Sequence, residues 1–350
     1  MPLENKNRFH ESTVRVRVTE VAKRAGCAPA TVSRAINNPQ KVSPEKRARI
    51  EGAMLELGYV RNHAARALRS QRSHMVGILI PTLDYALYAR LVDAASKKFS
   101  DSGISTLIAT FGYDLAAENK EARLLLERGA EALVLVGQHH RPELYEMLDQ
   151  FDVPFVNTYV HNPESAFPSA GFDNAAAAKV ARHLVQLGHT NFCVISGITK
   201  DNDRTTRRLE GICDELSRSK IDLPASRIIE CSYSISSGRA ACAQFLSRGF
   251  DHPTAFICGN DVLALGALIE CQSRGLDVPR DISVVGFDNL ELSQHSNPPL
   301  TTINVPAQEM GTKAAQFVLE TLGKRDVPLS NSVECQLILR ESTAPPRTRN

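Results

Sequence analysis

Residues 18–72 read VTEVAKRAGCAPATVSRAINNPQKVSPEKRARIEGAMLELGYVRNHAARALRSQR, and the rest of the chain is read outward from them. Thr19 is expected to cap a first helix, with Glu20 favourably placed near the positive end of its dipole. Val21, Ala22 and Ala25 follow at helical spacing, and Gly26 stops the helix. Pro29 opens a second helix, because the N–H it lacks would be unsatisfied in the first turn anyway. That helix continues through Ala30, Thr31, Val32, Ser33, Arg34, Ala35, Ile36 and Asn37. Two short helices across a Gly-led turn form a helix-turn-helix pattern. Ser43 is expected to cap a third helix, with Pro44 and Glu45 in its first turn. Ile50, Ala53, Met54 and Leu57 form its apolar stripe and Gly58 ends it.

Charge is concentrated in the same stretch. Between Thr13 and Arg72 there are 13 Lys/Arg against 4 Asp/Glu, a local balance of +9, whereas residues 73–350 sum to −7 and the whole chain to +2. A polyanionic partner is therefore expected for one end of the chain only. The second helix presents Thr31, Ser33 and Arg34 beside the small Pro29 and Ala30, a shape and chemistry that suit a DNA major groove. Arg34 fits either a bidentate guanine contact or a phosphate contact. Thr19 and Asn37 complete the expected DNA-facing set in this head.

Five linked elements in one order carry a resemblance: V-T-E-V-A-x-x-A-G (18–26), A-T-V-S-R-A-I-N (30–37), V-S-P-E-x-R-x-R-I (42–50), L-G-Y-V-R-N (57–62) and A-A-R-A-L (64–68). Together they resemble the DNA-binding head of the lactose-repressor/galactose-repressor family of bacterial transcription factors, and the likeness continues to about Ala344. It implies that the segment Asn62–Gln71 is a hinge that folds on DNA, pairs with its dimer mate and enters the minor groove. Leu68 would be the wedge between base steps, with Asn62 and Ala65 in the same DNA-contacting hinge. One departure is Ala28, where the family has Ser or Thr. An N-cap oxygen worth about 1 kcal/mol is lost there. Pro29 and Ala30 occupy positions where relatives place base-reading side chains, which leaves the operator sequence illegible.

From Met75 the composition changes. Apolar runs MVGILI (75–80), ISTLIAT (104–110), ALVLV (132–136), VPFVN (153–157), FCVIS (192–196), TAFIC (254–258) and ISVVGF (282–287) alternate with helical stretches such as Ala175–Leu187 and Asp261–Arg274. Nearly continuous apolar strands alternating with helices predict doubly wound parallel sheets, in a segment too long for one sheet. The fold expected is thus an all-α helix-turn-helix head plus an α/β two-lobed body. The resemblance likens that body to periplasmic sugar-binding proteins, with three crossings between lobes placed near Tyr159, Leu290 and Gly323. The organisation expected is a tail (1–12), a head (13–60), a hinge (61–73), a body (74–341) and a tail (342–350). Lobe one would take 74–159 and 291–322, lobe two 160–290 and 323–341.

In open α/β sheets, ligands bind beyond the carboxyl ends of strands. Asn157 after VPFV, Asn260 after TAFICG and Asp288 after VVGF are therefore candidate contacts, Asp288 and Asn260 suiting bidentate hydrogen bonding to vicinal hydroxyls; Asp261 reads better as a helix cap. The resemblance adds Arg208 as a ligand-contacting arginine, with Tyr88 and Tyr233 as aromatic walls. The run Asp203–Arg208 is rich in arginine, and GFDNAAAA (171–178) and IECQSRGLDVPRD (269–281) are similar to the gluconate-repressor branch. A sugar acid such as gluconate is the ligand implied, with a neutral sugar as the alternative; guanidinium groups suit a carboxylate.

Enzymatic readings find little support, since G-x-G-x-x-G, G-K-[ST] and G-x-S-x-G are all absent. His139–His140 is expected in a surface loop; no metal and no cofactor are expected. The eight cysteines contain no C-x-x-C and lie mostly in apolar runs, which implies buried free thiols in a reducing, cytoplasmic setting. No apolar run approaches membrane-span length. A homodimer on a near-palindromic DNA operator is expected, without a C-terminal coiled coil, because STAPPRTRN carries no heptad pattern. A small-molecule carrier without a regulatory role is the competing reading; it accounts for the body but not for the basic head.

Overall fold

The computed structural model describes residues 16–60, 72–173, 175–247, 252–325, 328 and 330–347, which fall into two units, Met1–Ser73 and His74–Asn350. The expected hinge contacts Asn62, Ala65 and Leu68 lie outside the described residues.

The first unit holds three helices, α1 (Val18–Ala25), α2 (Pro29–Asn37) and α3 (Pro44–Glu56). Their core is Val21, Ala22, Ala25, Val32, Ala35, Ile50 and Ala53, the residues the helical spacing places inward. Gly26 takes φ 61° and closes α1 in the left-handed conformation that Cβ-bearing residues disfavour. Helix α3 is tied to α1 by charge. Arg24 Nη2 lies 2.6 Å from Glu56 Oε2, and Arg49 Nη2 donates to the free terminal carbonyl of Ala25 at 2.6 Å.

One expected cap is corrected. Arg17, extended at φ −94° and ψ 157°, is the N-cap of α1, and Glu20 accepts its backbone N–H at 2.7 Å. Thr19 therefore sits one position inside the helix and has no capping role. Ser43 occupies the N-cap of α3 with Pro44 at the first helical position, as expected, although its side chain makes no cap bond. Ala28 precedes α2 likewise without a side-chain cap.

The second unit contains two parallel sheets. Sheet one comprises β1 (Met75–Ile80), β2 (Ser105–Thr110), β3 (Leu133–Val136), β4 (Phe155–Thr158), β5 (Ser169–Gly171) and, far along the chain, β11 (Ser330–Ser332), in the order β11-β5-β4-β3-β1-β2. Sheet two comprises β6 (Phe192–Gly197), β7 (Ile228–Cys231), β8 (Ala255–Cys258) and β9 (Ser283–Val285), in the order β7-β6-β8-β9. Strands β10 (Thr302–Asn304) and β12 (Gln336–Ile338) pair antiparallel. Helices α4 (Ala86–Asp101), α5 (Leu115–Glu127) and α6 (Pro142–Gln150) follow β1, β2 and β3; α7 (Ala175–Gln186) leads into β6. Helices α8 (Asp203–Arg218), α9 (Ile235–Ser247) and α10 (Asp261–Ser273) follow β6, β7 and β8. The short α11 (Glu291–His295) precedes β10, and α12 (Ala307–Leu322) follows it.

The lobe crossings lie nine or more residues later than the sequence reading places them. Strand β5 pairs with β4, so the chain stays in sheet one past Tyr159 and leaves after Gly171. Helix α12 returns to lobe one, where Gly311 packs against the Leu91 backbone of α4 so closely that a Cβ would lie 2.3 Å from the Leu91 carbonyl oxygen. The return therefore follows Asn304, not Leu290. Strand β11 pairs with β5, which puts the last departure after Ser332 rather than at Gly323. The expected tail also begins too early: Ser342 is fully buried, its hydroxyl donates to Val284 O at 2.6 Å, and Val284 N donates back to Ser342 O at 2.9 Å. All eight cysteines are free thiols, five of them buried.

Candidate functional site

The carboxyl ends of sheet two deliver a set of polar side chains in the order of the strands. Tyr233 follows β7, Asn202, Thr205 and Arg208 follow β6, Asn260 follows β8 and Asp288 follows β9. Opposite them, β1 leads to Tyr85 and Tyr88 at the start of α4. These residues, Thr205 apart, line one small cavity together with Tyr159, Phe172 and Arg204.

Asp288 is the centre. It is 1 % exposed, with its backbone at φ 115°, a region non-glycine residues rarely occupy; Asn289 follows at φ 54°. The surrounding structure holds that turn from several sides. Asp288 N donates to Ile303 O at 2.8 Å, Asn289 Nδ2 donates to Asn304 Oδ1 at 3.0 Å, and Arg340 Nη2 donates to Asn289 Oδ1 at 2.7 Å. The Tyr85 hydroxyl donates to Asp288 Oδ2, whereas Oδ1 is buried with no hydrogen-bond partner. Burial pushes the Asp288 carboxyl well above the usual aspartate range.

Arg208 brings a guanidinium to the same cavity. One of its terminal nitrogens, Nη1, donates to Gly259 O, its guanidinium lies 4.1 Å above the Phe287 ring, and its Nε is buried with no hydrogen-bond partner. Burial lowers its pKa. Asn260 has a double role. Its Oδ1 caps α10 by accepting Leu263 N at 2.9 Å, and its Nδ2 donates to the Tyr85 hydroxyl at 3.0 Å. The aromatic walls touch one another: Tyr85 stacks on Tyr233 with centroids 6.1 Å apart, and Tyr88 meets Tyr85 and Tyr159 edge-on. Tyr233 OH is 2.5 Å from Thr205 Oγ1. A site of this kind can accept a hydrogen bond from a hydroxyl at Asp288, donate to a hydroxyl oxygen from Asn260 Nδ2, donate to an anion from Arg208 and stack on the face of a ring.

Asp261 supports this centre without lining its cavity. The cap of α10 is Asn260; Asp261 is the first helical residue, and its carboxylate accepts from Leu290 N at 2.7 Å, Ser293 Oγ at 2.5 Å and Thr302 Oγ1 at 2.5 Å. It thereby pins both flanks of the Asp288 turn.

The sequence-derived candidates divide. Tyr88, Arg208, Tyr233, Asn260 and Asp288 come together round one cavity. Asn157 does not join them: it is fully buried in lobe one, with Nδ2 directed at the Tyr145 hydroxyl at 3.4 Å. Tyr85 and Arg204 were not singled out by the sequence reading. For Tyr85 a signal existed, an aromatic three residues before Tyr88 just beyond an apolar strand.

Arg204 lies beside a second junction between the lobes. Its Nη1 donates to Val136 O at 3.1 Å, while Asp203 Oδ2 accepts from Gln138 N at 2.7 Å and His139 N at 3.2 Å. Gly137, at φ +91°, admits this approach, since a Cβ there would lie 2.2 Å from Arg204 Nη1. His140 corrects the surface-loop reading of the His139–His140 pair: it is buried, with Nδ1 2.9 Å from Glu118 Oε2 and Nε2 3.1 Å from Gly137 O. Among the described residues no group of three or more His, Cys, Asp or Glu side chains is arranged to hold a metal ion.

In the first unit, α2 presents Pro29, Ala30, Arg34 and Asn37 as exposed residues and Thr31 and Ser33 as partly exposed ones, with Val32 and Ala35 turned inward. Asn37 Nδ2 donates to Ser33 O at 2.9 Å, so the far end of that face is internally braced. Thr19 is exposed on α1.

Comparison with known proteins bears on both units. Residues 17–62 match the model of bacterial regulatory proteins, lacI family, and residues 181–343 match a periplasmic binding protein-like domain. The chain is 30% identical to the HTH-type transcriptional repressor PurR of Escherichia coli over 331 residues, 93% of this chain and 96% of that protein. It is 29% identical to the HTH-type transcriptional regulator DegA of Bacillus subtilis over 337 residues, 95% of this chain and 99% of that protein. The crystal structure of the lac repressor dimer bound to operator and the anti-inducer ONPF superposes with a TM-score of 0.85 at 28% identity, covering 94% of this chain and 99% of that one. With a three-helix basic head, a two-lobed α/β body and relatives that match almost from end to end, the chain belongs to the lacI family of bacterial regulatory proteins.

Proposed function

We propose that this protein is a transcriptional repressor that grips a near-palindromic operator as a homodimer and whose grip is set by a small polyhydroxylated ligand held between its lobes. A sugar acid such as gluconate is the class favoured, with a neutral sugar second. The observation that carries the ligand class is the pairing of Asp288 and Arg208: a buried carboxyl and a buried guanidinium, each with an unpartnered polar atom, share one cavity walled by tyrosines. A carboxylate accepts from adjacent hydroxyls, and a guanidinium answers a carboxylate on the same molecule. The relatives named above are repressors and regulators, which supports a regulatory rather than an enzymatic role.

Control follows from linkage. A ligand that binds one arrangement of the lobes better shifts the protein towards that arrangement, and if DNA weakens ligand binding, ligand weakens DNA binding by the same factor. A thermal-shift screen of aldonic acids, uronic acids and neutral sugars tests the ligand class. Aldonic or uronic acids should raise the melting temperature most; a panel in which no sugar or sugar acid has any effect counts against the proposal. The DNA side is tested by Arg34→Ala on a selected duplex. Loss of one base or phosphate contact should weaken binding roughly tenfold or more and reduce its salt dependence. Unchanged affinity would remove Arg34 from the interface.

A further inference from the structure

The Tyr85 hydroxyl makes the hydrogen bonds that a ligand hydroxyl would make. It donates to Asp288 Oδ2 and accepts from Asn260 Nδ2 at 3.0 Å, so one oxygen engages both polar groups at the ends of β8 and β9. It does so across the cleft, because Tyr85 belongs to lobe one, at the N-cap of α4, and its two partners belong to lobe two. The space left beside it is small. The inner cavity round Asp288, Arg208 and Asn260 has a volume of ≈ 30 Å³, room for one or two water molecules and not for a six-carbon ligand. On the other side of the stacked Tyr85–Tyr233 pair the cleft opens to ≈ 1090 Å³, and Tyr85, Asn202 and Tyr233 line both spaces.

We infer that Tyr85 is a built-in occupant of the ligand's hydroxyl subsite, a gate whose side chain must leave Asp288 and Asn260 before a ligand can take them. Every ligand of this site then competes with an intramolecular hydroxyl. Two neighbouring contacts also join the lobes: Arg90 Nη1, on α4, donates to Asn289 O at 3.4 Å, and the Asp203 and Arg204 contacts lock residues 136–139. Displacing Tyr85 costs the ligand affinity but adds selectivity. A ligand with a single hydroxyl only replaces what Tyr85 already provides. One that also reaches Asp288 Oδ1 and Arg208 Nε, the two unpartnered atoms, gains contacts that Tyr85 cannot make.

The inference rests on the ligand site proposed above, and its test separates the two. Tyr85→Phe keeps the ring and removes only the hydroxyl. Hydrogen–deuterium exchange of the full-length protein without added small molecule should show the amides of residues 286–290 and of Gln138 and His139 exchanging about fivefold faster or more. Unchanged exchange overturns the gate whatever the ligand proves to be. Calorimetric titration with gluconate is the second arm, and there the variant should bind about fivefold more tightly, because its competitor is gone. Weaker gluconate binding by the variant overturns competition and makes Tyr85 a ligand contact. If gluconate binds neither protein while exchange rises as expected, the sugar-acid reading falls and the gate stands.

Discussion

Asp288→Ala is expected to abolish the response to any ligand of this site while leaving the fold intact or slightly stabilised. In the proposed ligand site the Asp288 carboxyl is the buried acceptor for ligand hydroxyls. Its loss leaves ligand hydroxyls facing an apolar wall, a penalty of roughly 3–4 kcal/mol, or 10²–10³-fold in Kd. Stability should move the other way. Burial holds this carboxyl far above its normal pKa, and Oδ1 has no partner, so the native fold carries an unfavourable group that alanine removes. The backbone at φ 115° strains alanine and aspartate alike, so the gain is small.

The same burial gives a pH signature. A ligand that donates hydroxyls to Asp288 binds the ionised carboxylate, whereas the unliganded site favours the neutral acid. Binding therefore releases a proton, and affinity should rise with pH until Asp288 is ionised before the ligand arrives. Calorimetry in buffers of different ionisation enthalpy detects the released proton. A variant that binds as well as the parent, or parent affinity flat with pH, would show that Asp288 is not the reader.

Much of this arrangement was legible beforehand, and the exceptions have physical causes. All seven apolar runs are strands; six are largely buried, as strands covered on both faces must be apolar throughout, while β2 lies at the sheet edge and is partly exposed along its length. Strands β5, β7, β10, β11 and β12 lie outside the seven runs and are three or four residues long; β5 (SAG) and β11 (SNS) have no apolar run at all. Their place in a sheet depends on partners far along the chain, such as β11 on β5, which local pattern cannot report. The lobe crossings therefore fall later than the apolar runs alone suggest.

At the site, Asn260 and Asp288 were readable from their position just past a strand. Asn157 shares that position, but its side chain turns into lobe one towards Tyr145. Position after a strand says where a residue stands, not which way it faces. Tyr85 was missed for the converse reason. Its meaning comes from Asp288, more than two hundred residues away, and only closure of the two lobes brings them together.

Asp261→Ala is expected to destabilise the body by about 3 kcal/mol and to lower its melting temperature by roughly 10 °C. The carboxylate gathers Leu290 N, Ser293 Oγ and Thr302 Oγ1, and alanine would leave all three donors in a place water does not reach. The backbone of Gly286 also rests on this carboxylate, since a Cβ there would lie 2.2 Å from Asp261 Oδ1. Asp261→Asn should be far milder. Its amide oxygen can still accept from Leu290 and Ser293, and the Thr302 hydroxyl can rotate to accept from the new NH2 group. The two variants differ again in pH dependence. Burial, opposed by the three donated hydrogen bonds, raises the Asp261 pKa to about 6. The folded state then keeps a proton that the unfolded chain has lost between about pH 4 and pH 6. Its contribution is full below that window and is lost as pH rises through it, on the order of 3 kcal/mol in all. Asn has no proton to lose, so the melting curve of Asp261→Asn should lack this decline. Melting temperatures of parent and variant that run parallel from pH 4 to pH 7 would place the proton elsewhere; they would also mean that the three donors hold Asp261 ionised throughout.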